Sequence, residues 1–264
     1  MQPAPFRTIR HDAIDSTSSE ALRRVRDGSA RHGDVHVART QSSGHGRQGR
    51  RWLSPPGEGL YATAVWFADG AAPPSGAAVT MAAGLAVRDA LVALGTRGVA
   101  LDWPNDAEVD GAKIAGILVE SVPRDGGVAL AVGVGINVRQ RDFDEELARE
   151  RPVTSLALVG VDATVDDALR ELLRALAPRL AQAVAGPRDA LAHDFGLATG
   201  LLGREVVARF ARRDGPEEVR GRLLAIDFER GVAVETPRGV ASCALEHVRS
   251  LDPADGAPRA LAPR

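Results

Sequence analysis

A chain of 264 residues with 44% hydrophobic and 26% charged side chains has the make-up of one large globular domain, or of a large and a small one, which excludes a disordered or fibrous protein. Its 33 basic and 35 acidic residues leave a formal net charge of -2, so no bulk attraction draws it to nucleic acid or to an anionic membrane, and any anion site must be local. The single cysteine, Cys243, excludes an internal disulfide and a thiolate metal cluster; with no signal-peptide run and no stretch approaching ~20 uninterrupted apolar residues, a reducing, cytoplasmic setting without membrane attachment is expected.

The segment TSSE, Thr17–Glu20, has a capping-box pattern and predicts a helix through about Arg26, with Thr17 as cap and Glu20 reaching back. DVHVART and GLYATAVWF read as strands, and ADGAAPPSG as a loop kept irregular by proline and glycine. Val79, Ala82, Ala83, Ala86, Ala90, Leu91 and Leu94 follow helical spacing up to Gly95, predicting a helix with a buried face. AKIAGILVES and GVALAVGVGINV predict two central strands joined by a hairpin turn in VPRDGG. A long amphipathic helix is expected from Thr164 to about Val184, with Thr164 and Asp167 as a capping pair and Pro178 as a kink. Beyond about Leu202 the texture changes to short β runs, REVVARF, EVRGRLLAIDF, GVAVET and GVASCAL, which suggest a small β-barrel. The expected organisation is an α+β domain over 1–201, a β domain over 202–252 and a mobile Ala- and Pro-rich tail over 253–264.

Three stretches carry chemistry. In SSGHGRQGRRW, Gly44, Gly46 and Gly49 permit close backbone approach and positive φ, while Arg47, Arg50 and Arg51 present forked donors suited to carboxylate or phosphate. The loop matches neither a P-loop nor a dinucleotide-binding fingerprint, and a solvated basic turn is the competing reading. In LDWPNDAEVDGAKIAGILVES, Asn105 and Asp106 form a polar pair that could orient a metal-bound triphosphate or accept a proton, and Lys113 stands at the head of an apolar run, either with its ammonium in a pocket or as a surface lysine. GVGIN, Gly133–Asn137, sets small residues beside one amide at a strand end.

Taken in order, the set DST, QSSGHGRQGRRWLSPPGEGLY, WPNDAEVDGAKIAGILVE and GVGINV, with a small β domain behind it, closely resembles the biotin-protein ligases from about Ile14 to about Leu251. The resemblance implies a mixed sheet with helices, like the class II synthetase and biotin/lipoate ligase catalytic domain, followed by an SH3-like β-barrel. It implies an enzyme that activates biotin with ATP and Mg2+ to biotinyl-5'-adenylate and passes the biotinyl group to one lysine of the carrier domain of a biotin-dependent carboxylase. By matched position, Ser16, Thr17, Ser18 and Gln41 would meet the ureido ring. Gly44, His45, Gly46, Arg47 and Gly116 would line the biotin site, and Lys113 would stand near the reacting carboxylate and α-phosphate. Trp52, Asn105, Asn137 and Arg249 would serve the nucleotide, with Lys113, Arg47 and Asp106 as the catalytic set and Asp106 as candidate base for the transfer step. No metal ligands are assigned.

Three positions depart from the family pattern. His45 stands where the loop commonly has an arginine, Ser18 where asparagine is common after the ST pair, and Asp102 where a lysine often precedes WPND. Only 14 residues precede Asp15, too few for the winged helix-turn-helix of some relatives, so a ligase that does not bind DNA is expected, with homodimer formation left open. The alternatives are a lipoate or octanoate ligase, a nucleic-acid-binding homologue built on the arginine loop, and a catalytically dead homologue.

Overall fold

The computed structural model describes residues 6–70, 74–143, 151–186, 188–212, 215–228, 231–257 and 259. Strands β1 (Arg7–Ile14), β2 (Asp34–Gln41), β3 (Gly59–Asp69), β4 (Val99–Asp102), β5 (Asp106–Val109), β6 (Ala112–Arg124) and β7 (Gly127–Asn137) form one sheet in the order β1-β2-β3-β7-β6-β5-β4. Among the described residues only β1 and β2 run parallel, so the sheet is mixed, as expected of an α+β protein.

Alternation in β3 and β7 decides which face does what. Leu60, Ala62, Ala64 and Trp66 join Val132, Val134 and Ile136 in the main core, under α2 (Gly76–Ala93) and α3 (Val165–Ala185). Each such Leu, Ile or Val contributes roughly 1.5–3 kcal/mol on burial. Val65 and Ala131 face the other way and pack with Ala21 and Leu22 of α1 (Thr17–Arg26). By length and composition α2 could cross a membrane, yet it is sheathed by the sheet, α3 and α4 (Arg188–Ala198), as a core helix is.

The four expected β runs and one further strand form a second sheet, β8 (Glu205–Arg212), β9 (Gly215–Asp227), β10 (Gly231–Thr236), β11 (Gly239–Cys243) and the unexpected β12 (Val248–Pro253), antiparallel throughout in the order β11-β10-β9-β8-β12. Its apolar residues, Phe210, Leu223 and Val234 among them, belong to the same buried cluster as the large sheet.

Several expectations change. The cap of α1 is Ser16, one residue earlier than Thr17, with its side chain accepting from the Ser19 N–H; Glu20 instead pairs with Arg23 and Arg24. The capping box at Thr164 and Asp167 forms as expected. Strands β1, β4, β5 and β12 and helix α4 have no counterpart in the periodicity reading. β1 is an edge strand of alternating polar residues, and β4 and β5 are four residues each. The β5–β6 turn is Asp110–Gly111, with φ of 51° and 79°, a pair that favours tight hairpins. Residues 71–73 of the expected loop, and 258 and 260–264 of the expected tail, lie outside the described residues. Within the rest of that stretch Pro253 closes β12 and Arg259 is 9% exposed.

Candidate active site

One cavity of about 660 Å3 opens on the α1 side of the large sheet, and of the residues assigned to it from sequence all but Gly44 line it. Gly44 has another reason to be glycine: a Cβ there would meet the Gln41 side chain and the Trp52 carbonyl oxygen at 2.8 Å. In the loop itself, Gly49 takes positive φ as expected, but Gly46 does not; the left-handed position is shared with Gln48, φ 59°.

At one end the cavity is neutral. Ser16, Thr17 and Ser18 open α1 and are buried, as is Thr63 on β3. Thr17 N–H donates to Gln41 Oε1 at 2.8 Å, and Thr17 Oγ1 donates to the same oxygen at 3.2 Å. Thr63 Oγ1 donates to Thr17 Oγ1 at 2.9 Å, and Ser18 Oγ lies 3.1 Å from Thr63 Oγ1. Gln41 Nε2 donates to Ser54 Oγ at 3.0 Å, which fixes the amide's orientation. Rotating hydroxyls can donate or accept, so such a chain can match a ligand presenting both N–H and C=O groups. Thr63 is missed by sequence reasoning; a lone polar residue in the apolar run GLYATAVWF was its only signal.

Small residues clear the floor. Across β3, β7 and β6, Thr63, Gly133 and Leu118 are in register, as are Tyr61, Gly135 and Gly116. A Cβ on Gly133 would stand 2.8 Å from Ser18 Oγ, and one on Gly135 would stand 2.5 Å from the Trp52 ring. The GVGIN glycines therefore make room for α1 and for the Trp52 indole, which lies across Gly135 and Gly116 with Lys113 Nζ 5.4 Å from its ring centroid.

The other end is charged. Lys113, second residue of β6, has its Nζ 2.8 Å from Asp106 Oδ2, which also accepts from Arg151 at 2.7 Å. Arg151 reaches Asp102 Oδ2 at 2.7 Å, while Arg259 bonds the other Asp102 oxygen and Glu108 Oε1, the latter at 2.9 Å. Burial pushes the pKa values of Asp102 and Glu108 above the usual carboxylate range, against the pull of Arg259 and Arg151. Burial also opposes the charge on Arg151, but Asp102, Asp106 and Glu108 outweigh it and raise its pKa. Neither Arg151 nor Arg259 is legible as a site residue from sequence, because their partners are set by the fold. The same contacts show how the Asp102 departure is accommodated: two arginines neutralise the carboxylate that stands where a lysine is common.

The nucleotide-side residues converge less tightly. Asn105 Nδ2 donates to Ile117 O at 2.8 Å, leaving Oδ1 to Arg47 at 3.3 Å. Asn137 Nδ2 donates to Thr154 O at 2.9 Å. Trp103 donates from Nε1 to Val248 O at 3.0 Å, so the WPND stretch holds the strand that presents Arg249 to the cavity. Among the described residues no group of three His, Cys, Asp or Glu could hold a metal ion.

The model of the biotin/lipoate A/B protein ligase family matches residues 11–137. The chain is 34% identical over 218 residues to the biotin–acetyl-CoA-carboxylase ligase of Mycobacterium tuberculosis, covering 80% of this chain and 77% of that protein. It is 30% identical over 228 residues to the bifunctional ligase/repressor BirA of Escherichia coli, covering 84% of this chain and 67% of that one. The solved biotin protein ligase of Aquifex aeolicus in complex with biotin and ATP is similar with a TM-score of 0.76 and 26% identity, over 94% of this chain and 99% of that one. A cavity with a hydroxyl-lined neutral end and a lysine at its charged end, in a chain with these relatives, places the protein in the biotin protein ligase family.

Proposed function

We propose that the cavity holds biotin with its ureido ring at the neutral end and its carboxylate toward Lys113, beside the α-phosphate of ATP. The protein is an ATP-dependent biotin ligase. Biotin carboxylate attacks the α-phosphorus, the bond to the bridging oxygen breaks, diphosphate leaves and biotinyl-5'-adenylate forms. Two anions meet in that step, so cations that bind the developing charge more strongly than the separate reactants lower the barrier. Lys113 is one, held in the cavity by its strand, and Arg47 on the glycine loop is the second. Magnesium enters with the triphosphate as part of the substrate: Asp102, Asp106 and Glu108 are each engaged by basic side chains and form no cage of their own.

In the second half-reaction the ε-amino group of a lysine on the carrier domain of a biotin-dependent carboxylase attacks the mixed anhydride and releases AMP. The expected base, Asp106, has Oδ2 occupied by Lys113 and Arg151, so orienting Lys113 is the role its geometry supports best. Trp52 and Arg249 are assigned to the nucleotide on the strength of their place in the cavity lining.

The observation that carries this reading is the pairing, within one cavity, of the Ser18–Thr63–Thr17–Gln41 chain with Lys113. A lipoate or octanoate ligase needs an apolar slot where these hydroxyls stand, since an unpaired buried polar group costs about 1–3 kcal/mol. Pyrophosphate exchange with biotin, lipoate and octanoate in parallel tests it. Exchange with biotin, lowered about a hundredfold or more by Lys113→Ala, is expected; exchange with lipoate but not biotin overturns the assignment, and no exchange with any acid points to a non-catalytic homologue.

A further inference from the structure

We infer that Arg151 is a positioning residue for adenylation: by sharing Asp106 Oδ2 with Lys113, it lets the lysine leave that carboxylate for the reacting anions. The inference rests on the biotin-ligase reading and adds to it a residue and a step.

Backbone geometry puts Arg151 there. The β5–β6 register slips between Ala107 and Glu108, and at the start of β6 Lys113, whose β5 partner is Glu108, also forms a parallel bridge to Val153 in the segment after Arg151. Lys113 N–H donates to Pro152 O at 2.8 Å, and Thr154 N–H donates to Lys113 O at 2.8 Å. The same two hydrogen bonds that seat the lysine thus seat the arginine beside it.

Charge then sets the consequence. The described cluster has three carboxylates, Asp102, Asp106 and Glu108, and three cations, Lys113, Arg151 and Arg259, with side-chain exposures between 4% and 32%. Pulling Lys113 away from a sequestered carboxylate with no other partner would leave an uncompensated charge, which low-dielectric surroundings penalise heavily. Arg151 removes that obstacle because it already bonds the same oxygen, Asp106 Oδ2, at 2.7 Å. Arg259 makes the sharing workable. It holds one Asp102 oxygen and Glu108, so Arg151 is not drawn wholly to those two acids. Arginine suits the post, since its planar fork spans Asp106 with NH1 and Asp102 with NH2 at once. Lysine, a point charge, would reach one of them.

The test is biotin-dependent pyrophosphate exchange by the full chain, which isolates adenylation from the transfer step, run on wild type, R151Q, R151K, D106N and R151Q/D106N. In R151Q the exchange kcat is expected to fall about tenfold to a hundredfold while the KM for ATP stays within about threefold, and R151K recovers part of the loss. In the D106N background, R151Q changes kcat by less than about threefold, because the carboxylate that retains Lys113 is gone. A rise in the ATP KM of tenfold or more at constant kcat would show that Arg151 binds the triphosphate directly and overturns the proposal. So does an equal loss with and without Asp106, the mark of a purely structural role. If R151Q melts below the assay temperature, the same cycle is read with R151K. Wild-type chain without biotin-dependent exchange sinks the functional reading itself, whereas exchange in wild type with additive losses sinks only this inference.

Discussion

The two ends of the cavity solve recognition in opposite ways. At the neutral end the polar groups satisfy one another: Ser18, Thr63, Thr17 and Gln41 form a chain of hydrogen bonds among residues that are buried or nearly so. At the charged end the groups cancel one another, with Lys113, Arg151 and Arg259 set against three carboxylates, and beyond them an arginine loop stands partly in solvent. A ligand at the neutral end replaces hydrogen bonds of similar strength and gains by shape and matching. A ligand at the charged end rearranges ion pairs, and what it gains depends on which pair yields. On the proposed placement of biotin, its ring would meet a site formed beforehand, and its carboxylate would meet ion pairs that have to rearrange.

The sharpest way to break that contrast is Lys113→Ala. Losing one fixed cation at the developing charge should lower the exchange kcat about 10²- to 10³-fold, with a much smaller change in biotin KM if the ring is held elsewhere. A collapse of biotin binding with kcat retained would show that the two ends are not separate.

Next comes pH at the neutral end. His36 is in register with Thr63 on the neighbouring strand, is fully buried, and its ring Nδ1 lies 3.1 Å from His11 Nε2. Burial, then the neighbouring His11, lower its pKa from 6.5 to about 4. The native protein keeps this ring neutral while the unfolded chain takes up a proton, so its contribution to stability is present above pH 6.5 and is lost as the pH falls towards 4. Each pH unit within that window costs about 1.4 kcal/mol, so on the order of 2 kcal/mol should go between pH 6.5 and 5. Urea unfolding at pH 5 and 7 should show that loss in the wild type and less of it in His36→Gln; identical pH dependence in the two would rule the histidine out.

Thr63→Val probes the hydroxyl chain directly. Removing the middle link leaves Thr17 and Ser18 each short of a partner, and biotin KM should rise about tenfold with kcat little changed. The smallest effect is expected in the loop. His45 stands where the loop commonly has an arginine, and an exposed charge pair is worth up to about 1 kcal/mol, so His45→Arg should slow release of the adenylate about two- to fivefold. An unchanged release rate in His45→Arg would remove the reason to single out this position.

Much of both ends was legible in the chain. TSSE, the arginine loop, WPND and GVGIN are contiguous motifs; WPND lines the cavity whole, the loop and GVGIN for the most part, and TSSE through Thr17 and Ser18. Thr63, Arg151 and Arg259 were not legible, and the physical reason is the same for all three. A threonine within a strand, an arginine before a proline and an arginine in an Ala- and Pro-rich stretch have no local signature of function; their roles come from partners between 45 and 157 residues away in sequence. The Asp110–Gly111 turn was legible and overlooked, and with it β5, the strand that presents Asp106.

Local chemistry thus determined from sequence alone that α1 would begin near Thr17, that β6 and β7 would be joined by a tight turn, and that glycines and arginines would share one loop over 44–51; that this loop and Lys113 belong to one site was implied by the resemblance. Those features depend on backbone preferences and periodicity within a dozen residues. Only the tertiary structure decided that Trp52 would lie over Gly116 and Gly135, that Asp106 would be shared between Lys113 and Arg151, and that a C-terminal arginine would neutralise Asp102. Buried charge is the reason: its cost is set by which opposite charge the fold brings within reach, and no local pattern contains that distance.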